Sequence, residues 1–137
     1  MSARYMLDTN VVSHIMQGRD ASLLAQLTGL RVGQVFMSSV TRGELEYGLQ
    51  RKSNPPRLRS ALTQVLLRID VLAWDEKAAT CYGVMCAALE AQGINLSDFD
   101  MMTAAHAAAT NTILVSREQA FSQIPVDVHP HWRLAIW

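Results

Sequence analysis

The sequence predicts an α/β protein with a central, mostly parallel sheet and helices on both of its faces. Two observations carry that expectation. Short apolar runs of three or four residues alternate with longer stretches whose apolar residues recur at helical spacing, the pattern of βαβ units. The 137 residues are half apolar and 18% charged, enough to bury a proper core in one domain spanning 1–137.

Tyr5-Met6-Leu7 is the first strand, stopping at Asp8. Val11, Val12, Ile15 and Met16 give Asn10 to Gln17 one apolar helical face, and Gly18 ends it. Leu23, Leu24, Leu27 and Leu30 repeat the pattern from Ala21 before Gly29 and Gly33. Gln34 to Met37 reads as a strand, and about Val40 to Arg51 as a helix. Pro55-Pro56 starts a further helix with Leu58, Leu62, Val65, Leu66 and Ile69 on one face, and Val71-Leu72-Ala73 is the next strand. Asp75-Glu76 opens a long Ala-rich helix ending at the Gly93 cap. Ser97 and Asp98 cap another helix running to about Thr110, and Thr112 to Val115 is a strand. Glu118 to Phe121 is a helical turn, and Val126-Asp127-Val128 a last short strand. The tail from His129 to Trp137 is rich in aromatic and apolar residues, which suits packing on the body or on a partner.

No apolar run approaches the roughly 20 residues that span a bilayer, and the N-terminus has no signal-peptide pattern, so no membrane partner is expected. Cys81 and Cys86 fit neither a zinc knuckle nor a redox pair and read as core thiols of a reducing cytoplasm. Net charge is zero, but it is unevenly spread. Between positions 42 and 68 six basic residues face two acids, and from Asp75 to Asp100 five acids face Lys77 alone. Ten of the twelve basic residues are Arg, the side chain better suited to bidentate phosphate contacts. The alternative is that Arg51 to Arg68 merely solvates a helix.

Four acids follow strand-like runs: Asp8, Glu44, Asp100 and Glu118. Each has an ordinary explanation. Asp8 suits an N-cap, Thr41-x-x-Glu44 fits a capping box, Asp100 sits in a helix's first turn behind a capping Asp98, and Glu118 suits a solvated loop. Together they imply more, because carboxylates gathered at the carboxyl edge of one sheet repel unless a cation neutralises them. The usual cation for an all-oxygen site is Mg²⁺ or Mn²⁺. His106 reads as a hydrogen-bonded helix histidine, and His129 and His131 as surface residues. No phosphate-cradling glycine loop and no G-x-S-x-G is present.

The motifs resemble those of PIN-domain proteins, specifically the VapC-type toxins of bacterial toxin–antitoxin pairs. Met6-Leu7-Asp8-Thr9-Asn10 is similar to the family's opening M-L-D-T-N, and Ser38 to Gly48 to its S-x-V-T-x-x-E-L-x-Y-G. Asp100 to Ala107 resembles D-x-x-I-A-A-x-A, and Leu114 to Glu118 resembles L-V-T-x-D, with Glu in place of the usual Asp and Ser116 in place of Thr. The resemblance implies a three-layer α/β/α sandwich and a Mg²⁺- or Mn²⁺-dependent endoribonuclease that cuts structured RNA such as tRNA or ribosomal RNA loops. It implies Asp8, Glu44, Asp100 and Glu118 as catalytic and metal-binding acids, with Thr9, Asn10 and Ser116 orienting them. It further implies a VapB-type antitoxin, a homodimer, and contact with DNA only through the antitoxin. A PIN-fold module that binds RNA or a partner without cutting is the alternative.

Overall fold

Tyr5–Leu7 forms β1, the strand around which the rest is arranged in a computed structural model that describes residues 2–137. It is followed by α1 (Thr9–Gln17), α2 (Ala21–Thr28), β2 (Val35–Ser38), α3 (Ser39–Arg51), α4 (Pro56–Leu66) and β3 (Asp70–Leu72). Then come α5 (Glu76–Ala91), α6 (Asp98–Ala109), β4 (Ile113–Val115), a 3₁₀ turn at Gln119–Gln123 and β5 (Leu134–Ala135). The strands pair in the order β3-β2-β1-β4-β5, every pair parallel. The chain leaves β1 towards β2 on one side and later returns to β4 on the other. The carboxyl end of β1 is therefore the switch point where open α/β sheets hold ligands.

Successive residues of β1 serve opposite layers. Leu7 packs into one apolar cluster with Val11, Ile15, Leu45, Leu49 and Leu62, on the side of α1 to α4. Met6 packs into the other with Met85, Leu89, Ala104 and Ala108, on the side of α5 and α6. Both are fully buried, as expected of a strand covered on both faces. The small side chains of α6 (Ala104, Ala105, Ala107 and Ala108) allow it to lie close against the sheet and α5.

The elements before Ile124 follow the sequence reading within a residue or two, except that α4 stops at Leu66, three residues short of Ile69; the end of the chain departs further. Val126 to Val128 is turn rather than strand, with Val126 exposed. The last strand is instead Leu134–Ala135, registered on Leu114 and Val115. The tail closes on the body: Trp132 is buried with its Nε1 donating to the Ile124 carbonyl, and the Trp137 ring lies 5.5 Å from that of Tyr5. β3 is an edge strand with Asp70 and Val71 exposed, which explains its lack of a fully apolar run. Cys81 and Cys86 are half-buried, not core.

Three basic residues of the 42–68 segment that read as phosphate-facing or solvated are used structurally. Arg68 donates to the carbonyls of Leu27 and Leu30 at 2.8 and 2.9 Å, closing the α2 end. Glu46 holds Arg42 at 3.0 Å and Arg59 at 2.8 Å, joining α3 to α4 and pulling its own carboxyl below the usual range, chiefly through Arg59.

Because Trp132 anchors the tail beneath the loop that follows β4, Trp132→Ala should cost roughly 3–5 kcal/mol, the usual range for a buried Trp. Urea unfolding would read this as a lower midpoint at an unchanged slope.

Candidate active site

Asp8 ends β1 in extended backbone and caps α1: its Oδ1 accepts from the Val11 amide at 2.9 Å. Its Oδ2 accepts from the Ser116 hydroxyl at 2.5 Å. That second contact follows from the sheet, because Leu7 is in register with Val115 and the Asp8 amide bonds the Val115 carbonyl. Asp8 is 5% exposed. Burial pushes its carboxyl above the ordinary carboxylate value; the Ser116 and Val11 hydrogen bonds oppose the shift, and the charges of Glu118 and Asp100 add to it.

Glu44 is not a capping residue. Ser38 caps α3, accepting from the Val40 amide at 3.1 Å, so the helix begins one turn ahead of a Thr41 cap. Glu44 therefore falls in the second turn, where its Oε1 accepts from the Thr9 hydroxyl at 2.6 Å across the gap between α1 and α3. Asp98 is not a cap either: Ser97 caps α6 by accepting from the Asp100 amide at 3.2 Å. Asp100 thus stands in the first turn, near the positive end of the helix dipole. Glu118 precedes the 3₁₀ turn; Asn10 donates to its carboxylate, and its amide donates to Ser116 Oγ at 3.0 Å.

All four acids line one polar cleft of about 210 Å³, with Thr9, Asn10, Thr103 and Phe121. Among the described residues none of the four makes an ion pair with Lys or Arg, and no three acidic, His or Cys side chains form a closed ligand cluster. Neutral donors hold three of them instead: Ser116 on Asp8, Thr9 on Glu44 and Asn10 on Glu118. Asp100 alone has no protein donor on its carboxylate among the described residues. An all-oxygen donor set with its negative charge left uncompensated suits a hard divalent cation that keeps part of its water. Thr103 and Phe121 were not anticipated as site residues. Thr103 lies one turn beyond Phe99 and Asp100, and its hydroxyl is used on the Phe99 carbonyl.

The chain matches the PIN domain over residues 5–127. It belongs to the PIN-domain family. A tRNA(fMet)-specific endonuclease VapC from Shigella flexneri is 36% identical over 113 residues, 82% of this chain and 85% of that one. The fold is that of the VapBC complex of Salmonella typhimurium bound to DNA (TM-score 0.87, 26% identity, 99% of each chain covered). It is also that of VapBC2 from Rickettsia felis bound to a DNA fragment from their promoter (TM-score 0.86, 27% identity, 97% of this chain and 98% of that one). Within the PIN-domain family the chain groups with the VapC ribonucleases.

Beneath the PIN-domain cleft, His106 of α6 ties two strand ends together. It is 1% exposed, with Nδ1 2.7 Å from the Ser38 hydroxyl that caps α3. Burial holds its pKa below the ordinary histidine value, against smaller raising effects of Asp75 and the Ala73 carbonyl. His129, read as a surface residue, is half-buried, with Nε2 3.3 Å from Cys81 Sγ. Its Nδ1 accepts from the His131 amide, so Nε2 carries the proton and donates to sulfur.

Two opposite pH responses follow. A depressed His106 pKa means that the unfolded state binds the proton more readily, so its stability contribution is intact above about pH 6.5 and declines below it. A raised Asp8 pKa has the reverse sign: ionising Asp8 destabilises the fold as pH rises through its folded value. Without divalent cations, Asp8→Asn should therefore melt no lower than the parent protein near pH 7. Added Mg²⁺ should raise the melting temperature of the parent and not that of Asp8→Asn, as followed by thermal denaturation with and without EDTA.

Proposed function

We propose that this chain is the toxin of a type II toxin–antitoxin pair: a divalent-metal-dependent endoribonuclease that cleaves structured RNA in the cytoplasm and is held in check by a VapB-type antitoxin. The observation that carries this reading is the convergence of Asp8, Glu44, Asp100 and Glu118 from separate strand ends into one cleft without a protein cation. The likeness to VapC ribonucleases supports RNA as the substrate, and the Shigella flexneri relative favours tRNA over other structured RNAs. The VapBC complexes support an antitoxin partner; in this reading the toxin itself is a homodimer. DNA contact falls to the antitoxin in this reading. Among the described residues no helix is long and apolar enough to cross a membrane.

Asp8 and Asp100 would hold a Mg²⁺ or Mn²⁺ ion directly, and Glu44 and Glu118 would hold it directly or through water. A bound ion of this kind relieves charge on the phosphoryl oxygens and makes a water nucleophilic near neutral pH. The protein's share is positioning. Ser116 fixes Asp8 by its Oδ2, and the α1 amide at Val11 fixes Oδ1, so the carboxylate cannot rotate away from the cleft. Thr9 sets Glu44 and Asn10 sets Glu118, each donating from the first turn of α1. One helix start thereby aligns three of the four acids, in the way hydrogen-bonded outer partners orient metal ligands. Hydrolysis adds water across one phosphodiester bond, giving one end with a phosphate and one with a hydroxyl.

Asp100→Asn is the sharpest test, because that carboxylate carries no structural hydrogen bond whose loss would disturb the fold. It should lose at least a hundredfold in Mg²⁺- or Mn²⁺-supported cleavage of bacterial RNA, and lose growth inhibition, with an unchanged melting temperature. Cleavage at the parental rate would reject the assignment. RNA binding without any cleavage by the parent protein would favour a non-cutting binding module.

A further inference from the structure

Arg117 stands between the two residues that the loop after β4 lends to the acid cleft, Ser116 and Glu118. The loop is non-helical, with Glu118 in extended backbone, so successive side chains point to opposite sides. Ser116 and Glu118 face the cleft, where the first donates to Asp8 and the second accepts from Asn10. Arg117 faces away, and its guanidinium joins two other parts of the chain. Its Nη1 lies 2.7 Å from Asp20 Oδ2, and its Nε donates to the Trp137 carbonyl at 2.9 Å.

Both partners are themselves fixed. Asp20 caps α2 through Oδ1, which accepts from the Leu23 amide at 3.0 Å, leaving Oδ2 for Arg117. The Leu23 amide first, and Arg117 next, hold the Asp20 carboxyl below the usual carboxylate range. Trp137 is seated by its ring, 5.5 Å from that of Tyr5 at the start of β1. Just before it, the Ala135 carbonyl accepts from the Ser116 amide at 3.1 Å. The tail thus holds two successive loop residues, Ser116 by its backbone and Arg117 by its side chain.

Stability gives little reason for the Arg117 contacts. β5 already pairs with β4, Trp132 already anchors the tail, and an ion pair this exposed contributes little to folding. What they restrict is the loop. Glu118 is exposed, and among the described residues only Asn10 holds its carboxylate, from the cleft side. Arg117 supplies the opposing hold from outside. Two partners on one planar guanidinium set its orientation as well as its position.

We propose that Arg117 is a positioning residue for the acid cleft: strapped to Asp20 and to the Trp137 carbonyl, it keeps Glu118 turned into the cleft beside Asp8 and Asp100. The aromatic tail is thereby part of the site's support. This role rests on the divalent-metal reading of the cleft and adds how its fourth acid is held.

Calorimetric titration of the metal-free variants with Mn²⁺ tests it, with melting temperature as the control. Arg117→Met keeps the aliphatic stem and loses both contacts. It should weaken Mn²⁺ binding about fivefold, no more than Glu118→Gln does, and melt near the parent. Asp20→Asn, which keeps the α2 cap and removes the charge, should shift binding the same way. So should deletion of Ile136 and Trp137, which removes the carbonyl and leaves β5. The deciding comparison is a double-mutant cycle: on a Glu118→Gln background, Arg117→Met should cost less than about twofold more, because its effect passes through Glu118. RNA cleavage by Arg117→Met should fall at limiting Mn²⁺ and recover at saturating Mn²⁺. Losses that multiply independently in the cycle would make Arg117 a general brace and overturn the proposal. Unchanged or tighter Mn²⁺ binding by Arg117→Met would also overturn it. Absence of saturable Mn²⁺ binding by the parent would remove the metal-site reading itself, and this role with it.

Discussion

Carboxylates brought to one place without a cation repel one another, and the architecture of this chain is arranged around holding them there. Ser116, Thr9 and Asn10 each donate one hydrogen bond to an acid from a neighbouring element. Neutral donors fix position but remove little charge, unlike the Arg pairs that neutralise Glu46 at the α3–α4 contact. The helix starts at α1 and α6 contribute partial positive charge to Asp8 and Asp100, again without cancelling it. Burial raises the pKa of Asp8, and the charges of Glu118 and Asp100 add a smaller push in the same direction. A site built this way keeps uncompensated negative charge in the fold, the usual tension between function and local stability.

The fold supplies the constraint through its central strand. β1 is paired on both sides, so the residue after it is fixed relative to the ends of both β2 and β4. The β4 side sets Ser116 against Asp8, and the β2 side starts α3 so that its second turn brings Glu44 to Thr9. His106 braces the same region from below by holding the Ser38 cap. The site's geometry is therefore a property of strand register more than of loop conformation, and it depends on burial of both faces of the sheet.

Much of this was legible in the sequence because apolar runs and helical spacing report burial directly. β1, β2, β4 and the six helices follow from it, and so does the set of four acids at strand ends. What was not legible depended on partners distant in the chain. Leu134–Ala135 is a strand only because β4 offers it an edge, and two residues carry no periodic signal; Val126 to Val128 alternates convincingly but has no neighbouring strand to pair with. The capping-box pattern at Thr41 and Glu44 was locally sound and lost to Ser38, whose hydroxyl starts the helix a turn earlier. Asp98 lost its cap position to Ser97 for the same reason.

The central claim is that the four acids make one divalent-cation site, and calorimetric titration of the metal-free protein with Mn²⁺ tests it most directly. The account predicts saturable binding that is strongly weakened by Asp8→Asn and by Asp100→Asn, and more mildly by Glu118→Gln, whose carboxylate is exposed and shared with Asn10. Absence of saturable Mn²⁺ binding, or binding that is unaffected when Asp8 and Asp100 are both neutralised, would contradict it.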